Sequence, residues 1–339
     1  MKEHRKIITG ILAALAMLII ILDTETAIEG SREGIRLSLQ TVIPALFPYF
    51  ILSGIVNNYF WGKPLPLLHP LALLCKIPKG SESLLLLGLI GGYPVGAQLI
   101  YQCYSRKQLT ATSAKRMLGF CNNAGPAFIF GMLTPLFENA IVPWILWIIH
   151  IMSAIFVGAI LPHNNQGEEC ALQEASPLPI SEIMQNTVKI TATISGWIIF
   201  FRIILAFCNR WFLWLFRSEF QVLFSGLIEL SNGCSMLNSI QAENIRFIIA
   251  SVLLAAGGIC VGMQTNTAVK ELGTGMYFPG KGIQIIISFL LSWFGQFLIF
   301  NDTKNVFVSF QHIFILLFII LFFAFLLLKK YSIQMKNSV

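Results

Sequence analysis

The sequence predicts an all-α polytopic membrane protein made of two pseudo-repeats, each containing broken or re-entrant helices. Three observations carry that prediction. Of 339 residues, 56% are hydrophobic and only 12% charged, about half the charged share of a soluble domain, and mean hydropathy is +0.74. Apolar runs suited to crossing a bilayer, which takes roughly 17–25 residues, occur at Ile7–Leu22, Asn139–Leu161, Ile183–Cys208, Ile245–Gln264, Gly282–Phe300 and Ile313–Leu328. Several other apolar segments are interrupted by glycine, proline and amide side chains.

The N-terminal run follows Lys2, Arg5 and Lys6, the form of a secretory leader. Glu25 stands where a small residue is needed for cleavage after Ala27, so residues 1–24 are read as an uncleaved first helix. Residues 25–161 form the first repeat. It opens on Gln40–Phe50, where Pro44 and Pro48 should kink or break the helix. Ser83–Tyr104 carries Gly91, Gly92, Tyr93, Pro94 and Gly96 at its middle, and Arg116–Leu133 carries Asn122, Asn123, Gly125 and Pro126. Asn139–Leu161 then crosses without interruption.

Residues 162–182 form an acidic linker with Glu168, Glu169, Glu174 and Glu182. The second repeat, 183–300, contains Glu219–Leu237, with Glu229, Ser231, Asn232 and Gly233, and Phe247–Val269, with Gly257, Gly258, Gly262, Gln264 and Asn266. Residues 301–339 supply a last helix and a basic tail. Order supports the duplication: Thr41-Val42 matches Thr187-Val188, the Gly88–Ile90 tripeptide matches Gly226–Ile228, and Gly125 falls opposite Gly262. A competing match sets GGYPVGAQ against GGICVGMQ at a different offset. Whether the halves are inverted depends on the number of crossings, which the interrupted segments leave open.

Formal charge is +7, but the placement of charge is more informative. Lys and Arg occupy short stretches between segments and the C-terminus, and none occurs between Met117 and Val188. The positive-inside bias places both termini in the cytoplasm and the acidic linker outside. Such dispersed charge sets topology and excludes a nucleic-acid patch. The seven cysteines show no zinc spacing, no cofactor is implied, and no nucleophile, metalloprotease or phosphate-loop motif suggests an enzyme. His150, inside a span, is either a protonatable pathway residue or a histidine bonded to a neighbouring helix.

A broken helix leaves backbone groups that lipid cannot satisfy, so breaks survive where protein or a water-filled cavity supplies partners. Secondary transporters use discontinuous helices in this way, with half-helix ends facing the solute. Amides beside such ends donate and accept together. Asn122 and Asn123 are therefore expected to line a gap opened by Gly125 and Pro126, with Glu229, Asn232, Gly258, Gln264 and Asn266 as a looser counterpart. Glu229 could bind a coupling cation, carry a proton, or pair with Arg202. A shared site requires Cys121–Gly131 and Gly226–Gly233 to meet.

The motifs GLIGGYPVGA and FCNNAGPAFIFG, then GLIELSNG and GGICVGMQ, resemble the sporulation integral membrane protein YlbJ family, also called SpoVV. That family falls in the nucleoside-recognition, or gate-domain, group related to concentrative nucleoside transporters. The resemblance implies an outer forespore membrane protein of a bacterial endospore former. Its solute would be dipicolinate, a small aromatic dianion accumulated with calcium. Its motifs fall on Gly92, Tyr93, Pro94, Gly96, Cys121, Asn122, Asn123, Gly125 and Pro126, and the resemblance implies solute binding by these segments, with Tyr93 stacking on a planar ring. The alternatives are a transporter of nucleosides or other small solutes, and a non-transporting scaffold for spore-envelope assembly. Self-association into a homo-oligomer stays open.

Overall fold

The computed structural model describes residues 2–63, 65–163 and 178–300, and no strand occurs among them. The chain is an all-α polytopic membrane protein. It divides into two compact units, Met1–Phe289 and Leu290–Val339. In the second unit the described residues end the last helix, where the Trp293 and Phe297 rings meet edge to face. Most of the expected linker at 162–182, and all of the expected Ile313–Leu328 helix and basic tail, lie outside the described residues.

Helix α1 (Lys2–Leu22) ends at Asp23, whose carboxylate caps α2 (Thr24–Leu37) by accepting from Thr26 N at 3.3 Å. Five π-helical residues, Ser38–Val42, lead directly into α3 (Ile43–Phe60). Pro44 falls in the first turn of α3, where its missing N–H matters least, and Pro48 lies inside. The paired prolines thus accompany a widened turn, not a break, and Thr24–Phe60 runs as one 37-residue stretch.

Short α4 (His69–Leu74) precedes α5 (Glu82–Ile90) and α6 (Val95–Ser105), which pack on each other about the break at Gly91–Pro94. Thr110 caps α7 (Ala111–Met117), accepting from Ser113 N at 3.2 Å. Residues 118–125 are not helical, and α8 (Pro126–Leu133) restarts on a proline suited to that position. An uninterrupted α9 (Val142–Ile160) follows.

The 32-residue α10 (Ile180–Trp211) packs along α2 and α3. Next come α11 (Ser218–Ile228) and α12 (Leu230–Met236), packed on each other, then α13 (Glu243–Ala256) and α14 (Gly258–Val269). The last two form one apolar run, Glu243–Leu272, interrupted at Gly257 in the left-handed region (φ +68°), which a side chain would strain. α15 (Tyr277–Ile299) completes the described chain. A long helical stretch, two broken segments and an uninterrupted helix thus occur in the same order on both sides of residues 164–177. Thr24–Phe60, Val142–Ile160, Ile180–Trp211 and Glu243–Leu272 are long and apolar enough to cross a membrane.

Arg116, grouped by its position with the topology-setting charges, is buried. Its guanidinium donates to Cys75 O at 2.7 Å, Gly158 O at 2.6 Å and Pro162 O at 3.0 Å. These carbonyls follow α4 and close α9, where helix dipoles present negative partial charge. Arg116 therefore ties three segments together.

Candidate functional site

A cavity of about 400 Å³ lies where the interrupted segments converge. Gly91, Gly92 and Tyr93 form one wall, and Gly125, Ala127, Phe128 and Gly131 a second. Glu229, Leu230 and Ser231 contribute from the second half, with Val261 and Gln264 of α14. The widened turn before α3 closes it with Gln40, Thr41 and Val42. Cys121–Gly131 and Gly226–Gly233 thus meet at one cavity, and α8 packs directly on α12. The volume lies in the range of small-molecule sites. Its lining is mainly apolar, with a few polar groups.

The breaks are held by their own amides. Asn123 Nδ2 donates to Phe120 O at 2.6 Å and Gly88 O at 3.1 Å, tying its own break to α5. Its Oδ1 accepts from Lys281 Nζ at 3.3 Å and Gln284 Nε2 at 3.1 Å. Asn122 Nδ2 donates to Thr265 Oγ1 of α14 at 2.9 Å. His150 Nε2 accepts from Ala124 N at 2.9 Å, so the histidine satisfies a backbone donor that the break leaves free. Neither Asn122 nor Asn123 belongs to the cavity lining, and both are fully buried. These side chains serve the chain's own backbone first, because an unpaired amide in this setting costs several kcal/mol, about as much as the break itself.

Packing is equally tight behind the cavity. A Cβ on Gly96 would stand 1.7 Å from Cys121 O, so α6 and the Cys121 break touch backbone to backbone. Gly96 is a spacing residue there and does not line the cavity. The same holds of Pro94 and Pro126, which shape the breaks: the Tyr93–Pro94 peptide is cis and Pro126 opens α8. Gly258 sits against the carbonyls of Gly226 and Leu227 at the end of α11. Asn266 is exposed on the far side of α14 from Gln264 and Thr265, which are buried. Gly92, Tyr93, Gly125, Glu229 and Gln264 are the expected site residues that do line the cavity.

Glu229 caps α12, accepting from Ser231 N at 3.0 Å and Asn232 N at 2.8 Å. Arg202 Nε lies 4.0 Å from its Oε2, and the same guanidinium donates to Asn232 Oδ1 and pairs with Glu33 at 3.6 Å. Of the three readings of Glu229, the geometry displays the pair with Arg202. Asn232 serves that pair and not the cavity. The α12 N-terminus, which could have met a solute carboxylate, already holds the protein's own.

One group escaped the sequence reading. Lys281, fully enclosed in α15, donates to Gln284 Oε1 at 2.7 Å and Tyr93 Oη at 2.8 Å, and its Nζ stands 4.8 Å from the Tyr93 ring centroid. Tyr93 in turn donates to Leu254 O of α13 at 3.1 Å. The signal lay in the three-residue spacing of Lys281 and Gln284, which puts both on one helix face.

A second cavity of about 380 Å³ has a more polar wall. Arg106, Lys189 and Lys270 line it, together with Glu182 and Asn186. It shares Ile194 and Gln264 with the first cavity, so these two residues border both. Gln264 is held by a hydrogen bond to Cys260 Sγ at 3.3 Å, a weak acceptor.

The chain is similar to the sporulation integral membrane protein YlbJ of Bacillus subtilis (strain 168). They are 23% identical over an alignment of 299 positions that covers 74% of this chain and 72% of that protein. No family model matches the chain, and no solved structure matches it. The similarity supports the YlbJ resemblance of the motifs and agrees with the membrane placement given by the apolar helices.

Proposed function

We propose that this chain is a bacterial membrane transporter of the YlbJ sporulation family, with dipicolinate as its solute and the outer forespore membrane as its location. It works without chemistry on the solute, with both termini in the cytoplasm, and calcium accompanies the cargo, not the protein. The observation that carries transport is a cavity lined by broken segments from both sides of residues 164–177. A scaffold has no use for such a cavity, whereas binding between two gate-like halves, 25–161 and 183–300, is a recurrent transporter plan. The gate-domain kinship and the choice of dipicolinate rest on the motif resemblance and on the similarity to a sporulation protein.

Three features suit a small planar anion. Gly125, Ala127 and Phe128 present the N-terminal end of α8 to the cavity, the electropositive end of a helix. The Tyr93 ring forms a flat wall. Arg106, Lys189 and Lys270 line the adjoining cavity and would draw an anion toward it. The Glu229 carboxylate on the cavity wall favours a second reading, an uncharged solute such as a nucleoside.

Uptake of labelled dipicolinate and labelled nucleoside into proteoliposomes tests both. The informative variant is Gly131→Phe: Gly131 lines the cavity, and nothing stands within 4 Å of a Cβ placed there. The ring should fill the cavity without disturbing the fold. Dipicolinate uptake by the wild type, lost in the variant, supports the proposal. Nucleoside uptake alone supports the second reading, and no uptake of either overturns transport of both.

A further inference from the structure

We propose that Lys281 is a proton-binding site that couples a proton to the state of the cavity. The inference deepens the transport reading above. Three observations lead to it: the burial of Lys281, the chemistry of its partners, and its bond to Tyr93, a residue that lines the cavity.

Arg116, also buried, and the partly buried Arg202 have evident compensation. Arg202 has Glu229 and Glu33, and Arg116 has the carbonyl ends of helices. Lys281 has no carboxylate within ion-pair distance among the described residues. Its three acceptors are neutral: Gln284 Oε1, Tyr93 Oη and Asn123 Oδ1. The titratable groups facing it are Tyr93 from the α5–α6 break, Tyr277 from α15 (5.9 Å to the ring centroid) and His150 from α9. None of these carries a negative charge at neutral pH in its ordinary form. Burying an ionisable group with no counter-charge is expensive, and such a group is a candidate for a functional role.

The partners accommodate either protonation state. As an ammonium, Lys281 uses three N–H donors on its three acceptors, and the Tyr93 hydroxyl proton goes to Leu254 O. Releasing one proton to water leaves an amine with two N–H donors and a lone pair. The amide oxygens of Gln284 and Asn123 retain the two donors. The lone pair then accepts the Tyr93 hydroxyl proton, which leaves Leu254 O. Leu254 lies in the last turn of α13, directly before the Gly257 break. One proton therefore decides whether Tyr93, a wall of the cavity, is fastened to α13 as well as to α15.

The test uses two variants of the full chain. Lys281→Arg keeps a charge and donors but cannot release a proton, and Lys281→Met removes the group. In detergent, the gap in melting temperature between wild type and Lys281→Arg should differ by about 2 °C or more between about pH 5.5 and about pH 8.5. An ordinary lysine stays charged throughout that range, so a constant gap overturns the proposal. In proteoliposomes, an imposed pH gradient should change wild-type dipicolinate uptake several-fold, while uptake by either variant, whatever its rate, ignores the gradient. Gradient-independent uptake by the wild type, or retained dependence in Lys281→Arg, overturns it too. If the wild type moves no dipicolinate, the solute assignment fails, and the melting comparison alone decides the role of Lys281.

Discussion

Lys281 Nζ and Tyr93 Oη stand 2.8 Å apart, joining the last described helix to a break ninety-odd positions into the chain. The hydroxyl accepts from the lysine and donates to Leu254 O, so it holds three segments at one point. Tyr93→Phe keeps the ring wall and removes both bonds. It should cost about 1–3 kcal/mol, because a buried ammonium loses an acceptor. Thermal unfolding in detergent would register the loss, and an unchanged midpoint would show the hydroxyl to be dispensable.

Gly96→Ala should be far more damaging than a single methyl suggests. Its Cβ would fall 1.7 Å from Cys121 O, a backbone atom with no rotamer to adopt. Overpacking of this kind costs about 1–3 kcal/mol or more. The expected outcome is loss of the monodisperse peak in size-exclusion chromatography. Gly131→Ala, with open space around it, serves as the control.

The asparagine pair should separate by its bonds. Asn123→Ala removes four hydrogen bonds and strands two buried carbonyls with Lys281, at a cost of at least about 2 kcal/mol. Asn122→Ala removes one bond, to Thr265, at about 1 kcal/mol. Equal effects on stability would contradict this division. Any solute binding that survives in folded Asn122→Ala protein is expected to keep its affinity.

These residues show how far the sequence could be read. The positions of the breaks were legible, because Gly91 to Pro94, Gly125-Pro126 and Gly257-Gly258 interrupt apolar runs for backbone reasons that do not depend on neighbours. The direction of the amides was not. A polar side chain at a break can face a cavity or the exposed backbone, and only the three-dimensional neighbours decide. Asn123 met Gly88 O and Phe120 O, so it turned inward. Lys281 and Arg116 were hidden for a related reason: each sits at the edge of an apolar run, where a charge reads as an interfacial anchor. Their burial is a tertiary fact.

Glu229→Gln should weaken the α12 cap and leave Arg202 facing a neutral amide. The cap alone is worth about 1 kcal/mol, and loss of the partner adds to it. A double-mutant cycle with Arg202→Met, read by thermal unfolding, should return coupling of about 0.5–3 kcal/mol. Additive effects would mean that the 4.0 Å approach carries no energy.

Lys189→Gln should slow capture of an anionic solute, because Lys189 helps to line the basic cavity. The expected change is a rise in KM of about two- to tenfold at low ionic strength, shrinking as salt shortens the reach of charge. A KM that ignores salt in both proteins would remove this lysine from the approach path.

The border that Ile194 and Gln264 give to both cavities bears on how much of the molecule must move. Two chambers with bordering side chains in common behave as a canal lock whose gate has two leaves. Swinging one amide off a weak sulfur contact would join them, at far smaller expense than rotating half a protein. Leakiness is the corresponding hazard, because one isoleucine and one glutamine border both chambers.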